Sequence, residues 1–182
     1  MRKIMLAELK EIALASKSKL WEAAHSVGRD IKIYAHWSAG HYNQPFPEYH
    51  INIDQDGSIY ISTDNLADVL AHTWHRNSGA VGIALECCYK ATTNNLGSEP
   101  PTDLQIESMS QVIAVLCHAL NLTINKKHVL THGEAADLDG YGIDDTDPDM
   151  RWDLHILHTG DEMRSGGNIL RGKANFYLAQ VV

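Results

Sequence analysis

The chain has 182 residues, of which 44% are hydrophobic and 21% charged, as expected for one globular domain with a sizeable core. The formal net charge of −8 argues against a nucleic-acid partner, because phosphate binding requires a basic surface. No apolar run reaches the roughly 18–20 residues that a membrane span needs. The three cysteines lack metal-ligand spacing, which argues against a zinc finger.

The first 28 residues are predicted to form a helical extension. Residues 3–15 carry apolar side chains at nearly helical spacing, and a second helical stretch over 16–27 ends before Gly28. Charged residues interrupt the apolar positions, so this segment lacks the continuous core of a signal peptide. The protein is therefore expected to be cytoplasmic as synthesised.

Strands and helices then mix along the chain. Apolar and alternating patterns predict strands at 31–37, 80–88 and 128–132, a β-hairpin over 49–62 around Asp56-Gly57, a helix at 103–121 capped by Thr102, and a last helix that starts within 149–158. This order predicts a single α/β domain with three layers, in which helices flank a central mixed sheet. The predicted domain spans 1–182, with its core at about 30–155.

A short acidic loop raises an electrostatic question. Four aspartates fall within six positions, at Asp144, Asp145, Asp147 and Asp149, and no Lys or Arg lies between residues 128 and 150. Like charges this close repel one another. If the loop orders into one shape, it needs a positive charge from elsewhere.

Two histidines and one of these aspartates form a pattern that suits a zinc ion. His36 ends the first predicted strand, His132 ends the strand before the acidic loop, and Asp147 precedes Pro148, which stiffens the backbone. Zinc hydrolases use three protein ligands and leave a fourth position open. Zinc is therefore one candidate for the missing charge. Spacing alone leaves open that both histidines are ordinary polar residues at strand ends.

Five motifs in order resemble the zinc-dependent N-acetylmuramoyl-L-alanine amidases of type 2, a family that includes phage lysozymes of amidase type and peptidoglycan recognition proteins. The resemblance covers about residues 30–155. The motifs are "IYAHWSAG", "EYHINIDQDGSIY", "AHTWHRNSGAVGIALE", "THGE" and "DTDPD".

The resemblance assigns roles to residues. It implies that one Zn²⁺ is held by His36, His132 and Asp147. It also implies that Tyr49 is a catalytic helper. Two further residues, His72 and Asn77, match positions that line the substrate groove.

Two positions depart from the family pattern. Asp145 stands where the family often has a lysine and sometimes a threonine, and it is a candidate proton shuttle. Ala84 stands where the cytoplasmic recycling amidases carry a glutamate base. The first departure bears on catalysis, and the second weighs against a recycling enzyme.

The predicted function is hydrolysis of the amide between N-acetylmuramic acid and L-alanine in peptidoglycan, by a phage or prophage endolysin. Such an enzyme would reach the wall only if a separate pore released it. The expected partner is peptidoglycan or a muropeptide. Three alternatives stay open: a recognition module that binds peptidoglycan without cutting it, a cytoplasmic wall-recycling amidase, and a zinc hydrolase acting on another amide.

Overall fold

A computed structural model of the chain describes residues 1–92, 94–144 and 153–181. For residue 181 it describes the backbone alone. Within them lie six strands: β1 (Arg2–Ile4), β2 (Lys32–Trp37), β3 (Ile51–Ile53), β4 (Ile59–Ile61), β5 (Ala80–Leu85) and β6 (Val129–Thr131). The helices are α1 (Leu6–Ser26), α2 (Asp103–Leu120), α3 (His132–Asp139) and α4 (Gly166–Val181). The predicted α/β class and mixed sheet are confirmed.

The six strands form one sheet in the order β1-β4-β3-β5-β2-β6. The four strands from β3 to β6 in that order are parallel, whereas β4 pairs antiparallel with both β3 and β1. Because parallel strands end at the same edge of a sheet, side chains that follow β2, β3, β5 and β6 gather at one edge. The candidate functional residues lie along it.

The two faces of the sheet are covered differently. Helix α2 packs against both α1 and α4, and the three helices form a layer with the main hydrophobic core. On the other face, Tyr34, Ala80 and Leu130 of the sheet pack with Ala135 of α3 in a small separate cluster. The short helix α3 therefore packs on the face of the sheet that carries the site.

Most of the predicted elements are confirmed, and α2 begins as predicted. Thr102 accepts a hydrogen bond from the Gln105 amide, and the Gln105 side chain accepts one from the Thr102 amide. This capping box satisfies two backbone donors at the start of the helix. All three cysteines are buried and unpaired.

Three predictions of secondary structure were wrong. Residues 2–4 form an edge strand, because their backbone pairs with β4, and one helix runs from Leu6 to Ser26 where two were predicted. Helix α3 was missed. The last helix begins at Gly166, whereas residues 153–158 form turns and bends. None of the four helices, in the parts of the chain described above, offers an apolar stretch suited to crossing a bilayer.

Candidate functional site

Three side chains meet at the carboxyl edge of the sheet and form the His-His-Asp cluster: His36, His132 and Asp153. One possible ligand atom from each lies within 4.8 Å of the others. The two oxygens of Asp153 face different imidazoles, with 3.1 Å from Oδ2 to Nδ1 of His36 and 3.0 Å from Oδ1 to Nδ1 of His132. His36 is fully buried and Asp153 nearly so.

The fold brings the two histidines together through neighbouring parallel strands. His36 is the fifth residue of β2, and His132 follows β6, which pairs with β2. Their ring centroids lie 4.7 Å apart. Both were predicted as metal ligands, and the structure places them side by side.

A buried ion pair fixes the start of α3, where His132 lies. The Thr131 hydroxyl accepts from the Glu134 amide, and Glu134 accepts from the Thr131 amide, forming a second capping box. Arg171 of α4 donates to both carboxylate oxygens of Glu134, at 2.7 and 2.8 Å. Such bidentate pairs add geometric precision as well as energy. His132 is therefore held by contacts from two helices.

Asp153 is the carboxylate of the cluster, and sequence reasoning missed it. The predicted third ligand, Asp147, and the predicted proton shuttle, Asp145, lie outside the described residues. Asp153 is positioned by backbone, because the Gly133 amide donates to its carbonyl. A single signal in the sequence could have suggested it: an aspartate beyond the acidic loop in a segment with apolar neighbours, "DLHIL".

The cluster stabilises protonation states that suit a metal. Burial lowers the pKa of His36, which keeps its imidazole neutral at neutral pH. Burial alone would raise the pKa of Asp153, but His132 and His36 hold it below its ordinary value. The cluster therefore offers a neutral imidazole at His36 and an ionised carboxylate at Asp153, which are the states in which these groups bind metals.

A turn beside the cluster orients His36. The Thr73 hydroxyl lies 3.2 Å from Nε2 of His36 and 2.9 Å from Nδ1 of His72. The side-chain oxygen of Asn77 accepts from the backbone amides of both His72 and Thr73. Outer hydrogen bonds of this kind set the tautomer and orientation of metal-binding histidines.

His72 and Asn77, predicted as substrate-binding residues, therefore differ in position. Asn77 shapes the turn through backbone contacts. His72 lies in the histidine cluster, its ring centroid 5.4 Å from that of His36. Its ring rests on Gly82 of β5, where a Cβ would come within 2.6 Å of it. Substrate contact by either residue stays a prediction.

Tyr49 lies against the cluster as the catalytic prediction requires. Its ring centroid is 5.1 Å from that of His36. Burial, with a smaller contribution from the Asp153 charge, raises its pKa, so the phenol stays protonated and able to donate. The neighbouring His50 is instead tied to backbone, with Nδ1 accepting from the Gly82 amide and Nε2 facing the Asp68 carbonyl.

The other histidines differ in burial. His155 is 1% exposed and lies over Gly133. His41, His75 and His158 are exposed. Arg164 forms an ion pair with Asp144 at 2.6 Å and so neutralises part of the charge of the acidic loop. That counter-charge comes from beyond the loop.

The donor set of the cluster fits zinc. Two imidazole nitrogens and one carboxylate oxygen are a ligand set found in zinc hydrolases, in which a fourth position holds water or substrate. Bound to Zn²⁺, one carboxylate and two neutral imidazoles give a net charge of +1. Within the described parts of the chain, no other group of three such side chains lies close enough to hold a metal ion.

The mixed α/β sheet, with a His-His-Asp cluster at the carboxyl edge of its parallel strands, defines a protein with a candidate metallohydrolase site. The sequence profile of the N-acetylmuramoyl-L-alanine amidases matches residues 17–150. The chain belongs to this family, which indicates a function in cleaving or recognising peptidoglycan. A search of curated proteins finds no match.

Several solved structures are similar to the chain. N-acetylmuramoyl-L-alanine amidase LysC from Clostridium intestinale URNW is 22% identical, with a TM-score of 0.43 over 58% of this chain and 72% of that one. The Ph2119 endolysin from the Thermus scotoductus MAT2119 bacteriophage is 17% identical, with a TM-score of 0.44 over 58% and 73%. Drosophila PGRP-LB is 16% identical, with a TM-score of 0.44 over 75% and 87%.

Proposed function

We propose that the protein is a zinc-dependent amidase that hydrolyses the bond between N-acetylmuramic acid and L-alanine in peptidoglycan. The observation that carries this proposal is the buried His36–His132–Asp153 cluster in a chain of the amidase family. We assign all three as ligands of one Zn²⁺. This assignment replaces Asp147 with Asp153 as the third ligand.

Zinc, when bound, supplies a water of lowered pKa and polarises the carbonyl to be attacked. Side chains of the protein stabilise the developing charge, orient a zinc ligand and deliver a proton. Tyr49, protonated and next to His36, donates a hydrogen bond to the carbonyl oxygen as negative charge develops there. The Thr73 hydroxyl holds the ring of His36 through Nε2. Asp145 stays our candidate for delivering a proton to the leaving amine.

The role of an endolysin, released through a separate pore to act on the wall, is supported over wall recycling by Ala84. This residue is the register partner of His36 on the adjacent strand. The position from which a recycling amidase would use a glutamate base therefore carries a methyl group. A recognition module is the second candidate, because Asp145 as an anion cannot supply a lysine's positive charge.

One experiment separates these functions. Purified protein is analysed for zinc and then added to purified cell walls while turbidity is followed. Loss of turbidity, with free amino groups of alanine appearing, supports the amidase. Walls that bind the zinc-loaded protein but keep their turbidity support the recognition module instead.

Removing the metal should destabilise the protein at neutral pH. A ligand that binds only the native state stabilises it by about 2.7 kcal/mol at 100 times its dissociation constant. For a chain of this length that corresponds to a fall in melting temperature of about 5–10 °C after chelation. Calorimetry with and without chelator measures the change, and hydrogen exchange should locate it near α3 and residues 153–157.

The same experiment at pH 5 is its control. Zinc ligands must be deprotonated, so the stabilisation should be full at neutral pH and shrink as falling pH protonates the histidines. Chelation should therefore lower the melting temperature less at pH 5 than at pH 7. A melting temperature unaffected by chelator at pH 7 contradicts the assignment of the cluster as a zinc site.

A further inference from the structure

A cavity of about 460 Å³ lies beside α3 and is termed the α3 cavity. It is lined by Arg29, Trp74, His75, Arg76, Asp139 and Tyr141. Arg29 lies before β2 begins, and Asp139 is the last residue of α3. The cavity therefore extends from the candidate metal centre towards the amino ends of the parallel strands. Its volume falls in the range of about 300–1,000 Å³ that is typical of sites for small ligands.

The α3 cavity borders on the His-His-Asp cluster. A smaller cavity shares Trp74 and Asp139 with it and is also lined by His132. Thr73, the residue before Trp74, has its hydroxyl 3.2 Å from Nε2 of His36. From His132 to Asp139, α3 advances by roughly 10 Å, at 1.5 Å per residue. A ligand held at the cluster can therefore reach the α3 cavity with the group next to its reacting bond.

Trp74 gives the α3 cavity an aromatic wall that a ligand can contact. The residue is 47% exposed. The Tyr141 ring meets the indole edge-on, with 4.9 Å between centroids and 83° between planes. His75 meets it in the same way at 3.9 Å and 77°. These contacts orient the indole, and a large aromatic ring offers much apolar area at a small cost in conformational entropy.

The backbone that carries Trp74 is a fixed turn. The Arg76 amide donates to the Thr73 carbonyl at 3.0 Å, and the Asn77 side-chain oxygen accepts from the Thr73 amide at 2.8 Å. His75 has the left-handed backbone conformation, with φ of 57°. The indole is therefore placed before a ligand arrives, which lowers the entropy that binding costs.

A charged pair forms the polar wall of the α3 cavity. Arg76 donates from Nε and Nη2 to the two oxygens of Asp139, at 2.7 and 2.6 Å. Its Nη1 donates to the Tyr34 hydroxyl at 3.3 Å. A guanidinium has five N–H donors and a carboxylate about four lone-pair sites, so both groups keep capacity for a ligand. The wall thus offers donors and acceptors side by side at fixed positions.

We propose that the α3 cavity binds one sugar ring of the glycan strand, namely the N-acetylglucosamine attached to O4 of the muramic acid whose amide is cut. This inference rests on the proposed function, which supplies muramic acid at the metal centre. The lactyl ether is carried on C3 of muramic acid, next to C4, so this neighbouring sugar lies beside the scissile amide. Its ring C–H groups pack on Trp74, and its hydroxyls exchange hydrogen bonds with Arg76 and Asp139.

A neutral sugar suits this wall better than an anion or an apolar ligand does. Each hydroxyl both donates and accepts, which matches the paired guanidinium and carboxylate. A phosphate or carboxylate mainly accepts, and the charge of Asp139 would repel it. A wholly apolar ligand would displace water from Arg76 and Asp139 without replacing its hydrogen bonds, which costs free energy.

The test compares two sugars that lack the scissile amide. One is N-acetylmuramic acid, and the other is the disaccharide that carries N-acetylglucosamine on its O4. Calorimetry measures their dissociation constants for the zinc-loaded full-length protein at pH 7. Both present the same lactyl carboxylate to the metal centre and differ only in the added ring. We expect the disaccharide to bind about tenfold more tightly, which corresponds to about 1.4 kcal/mol.

Two aromatic variants show where the preference arises. Trp74→Ala removes the wall on which the added ring packs and should abolish the preference. The control is Phe176→Ala, which removes an exposed aromatic ring on α4 and should retain it. Thermal melting checks that both variants fold, and the comparison of sugars on the wild-type protein stands without them.

Equal binding of the two sugars, or no measurable binding of the disaccharide, overturns the subsite. So does a preference that survives in Trp74→Ala, since the added ring would then bind elsewhere. The amidase is judged separately. Walls left intact by a protein that prefers the disaccharide contradict only the amidase, whereas walls cut by a protein without the preference contradict only the subsite.

Discussion

Replacing Asp153 with asparagine should abolish zinc binding and, with it, hydrolysis of cell walls. The change preserves shape but removes the charge that faces both His36 and His132 at about 3 Å. Losing an outer-shell partner alone typically costs 10–100-fold in metal affinity. Losing a ligand should therefore cost more than about 100-fold. Titration of metal-free protein with zinc measures the affinity, and turbidity of purified walls measures the activity.

Asp147→Asn is the matched comparison for this experiment. It removes the same charge from the residue that the sequence pattern selects as third ligand. If Asp153 is the ligand, the Asp147 variant should bind zinc like the wild type. The opposite result, with zinc lost only from the Asp147 variant, would restore the sequence-based assignment and leave Asp153 as a partner of the two imidazoles.

The sequence could select the two histidines as candidates because both lie at strand ends that local patterns predict. "IKIYAHW" is apolar and β-branched, and "HVLTH" is a short apolar run. Parallel pairing of β2 with β6 then brings His36 and His132 together. The β-hairpin over 49–62 and helix α2 were predictable for similar reasons, since an Asp-Gly turn and a threonine N-cap are local signals.

The carboxylate of the cluster could not be identified this way, since several aspartates lie close together in the sequence. Asp147 was chosen for the proline that follows it. Asp153 reaches the cluster through long-range backbone contacts, in which the Gly133 amide binds its carbonyl and the Gly166 amide binds that of His155. The family match also ends at residue 150, before Asp153. Periodicity carries no information on such contacts.

Burial of polar residues was also beyond local patterns. Glu86 lies at the end of a predicted strand, and nothing in the local pattern indicates that it is only 1% exposed. Its position follows from register with β3, which is a property of the sheet and not of the segment. Arg164 likewise donates a hydrogen bond to Asp144, which lies 20 residues away along the chain. Sequence reasoning noticed that the acidic loop needs positive charge, but it could not see that part of it comes from this arginine.

Tyr49→Phe should reduce wall hydrolysis by roughly 10²–10³, the usual cost of losing one donor to a developing oxyanion. The ring stays against His36, 5.1 Å between centroids, so packing is preserved and only the hydroxyl is lost. Zinc content should be unchanged because the phenol is not among the three clustered ligands. Because the interaction forms as charge develops, the loss should fall on kcat more than on KM.

Tyr42→Phe provides the control, since the Tyr42 hydroxyl donates to the Pro100 carbonyl and takes no part in the cluster. This variant should keep wild-type turnover. A Tyr49→Phe protein that is as active as the wild type would assign Tyr49 to packing alone. A fall in both activity and zinc content would mean that the hydroxyl supports the metal centre. Only a fall in kcat at constant zinc content places the Tyr49 hydroxyl at the reacting carbonyl, where its raised pKa keeps it protonated and able to donate.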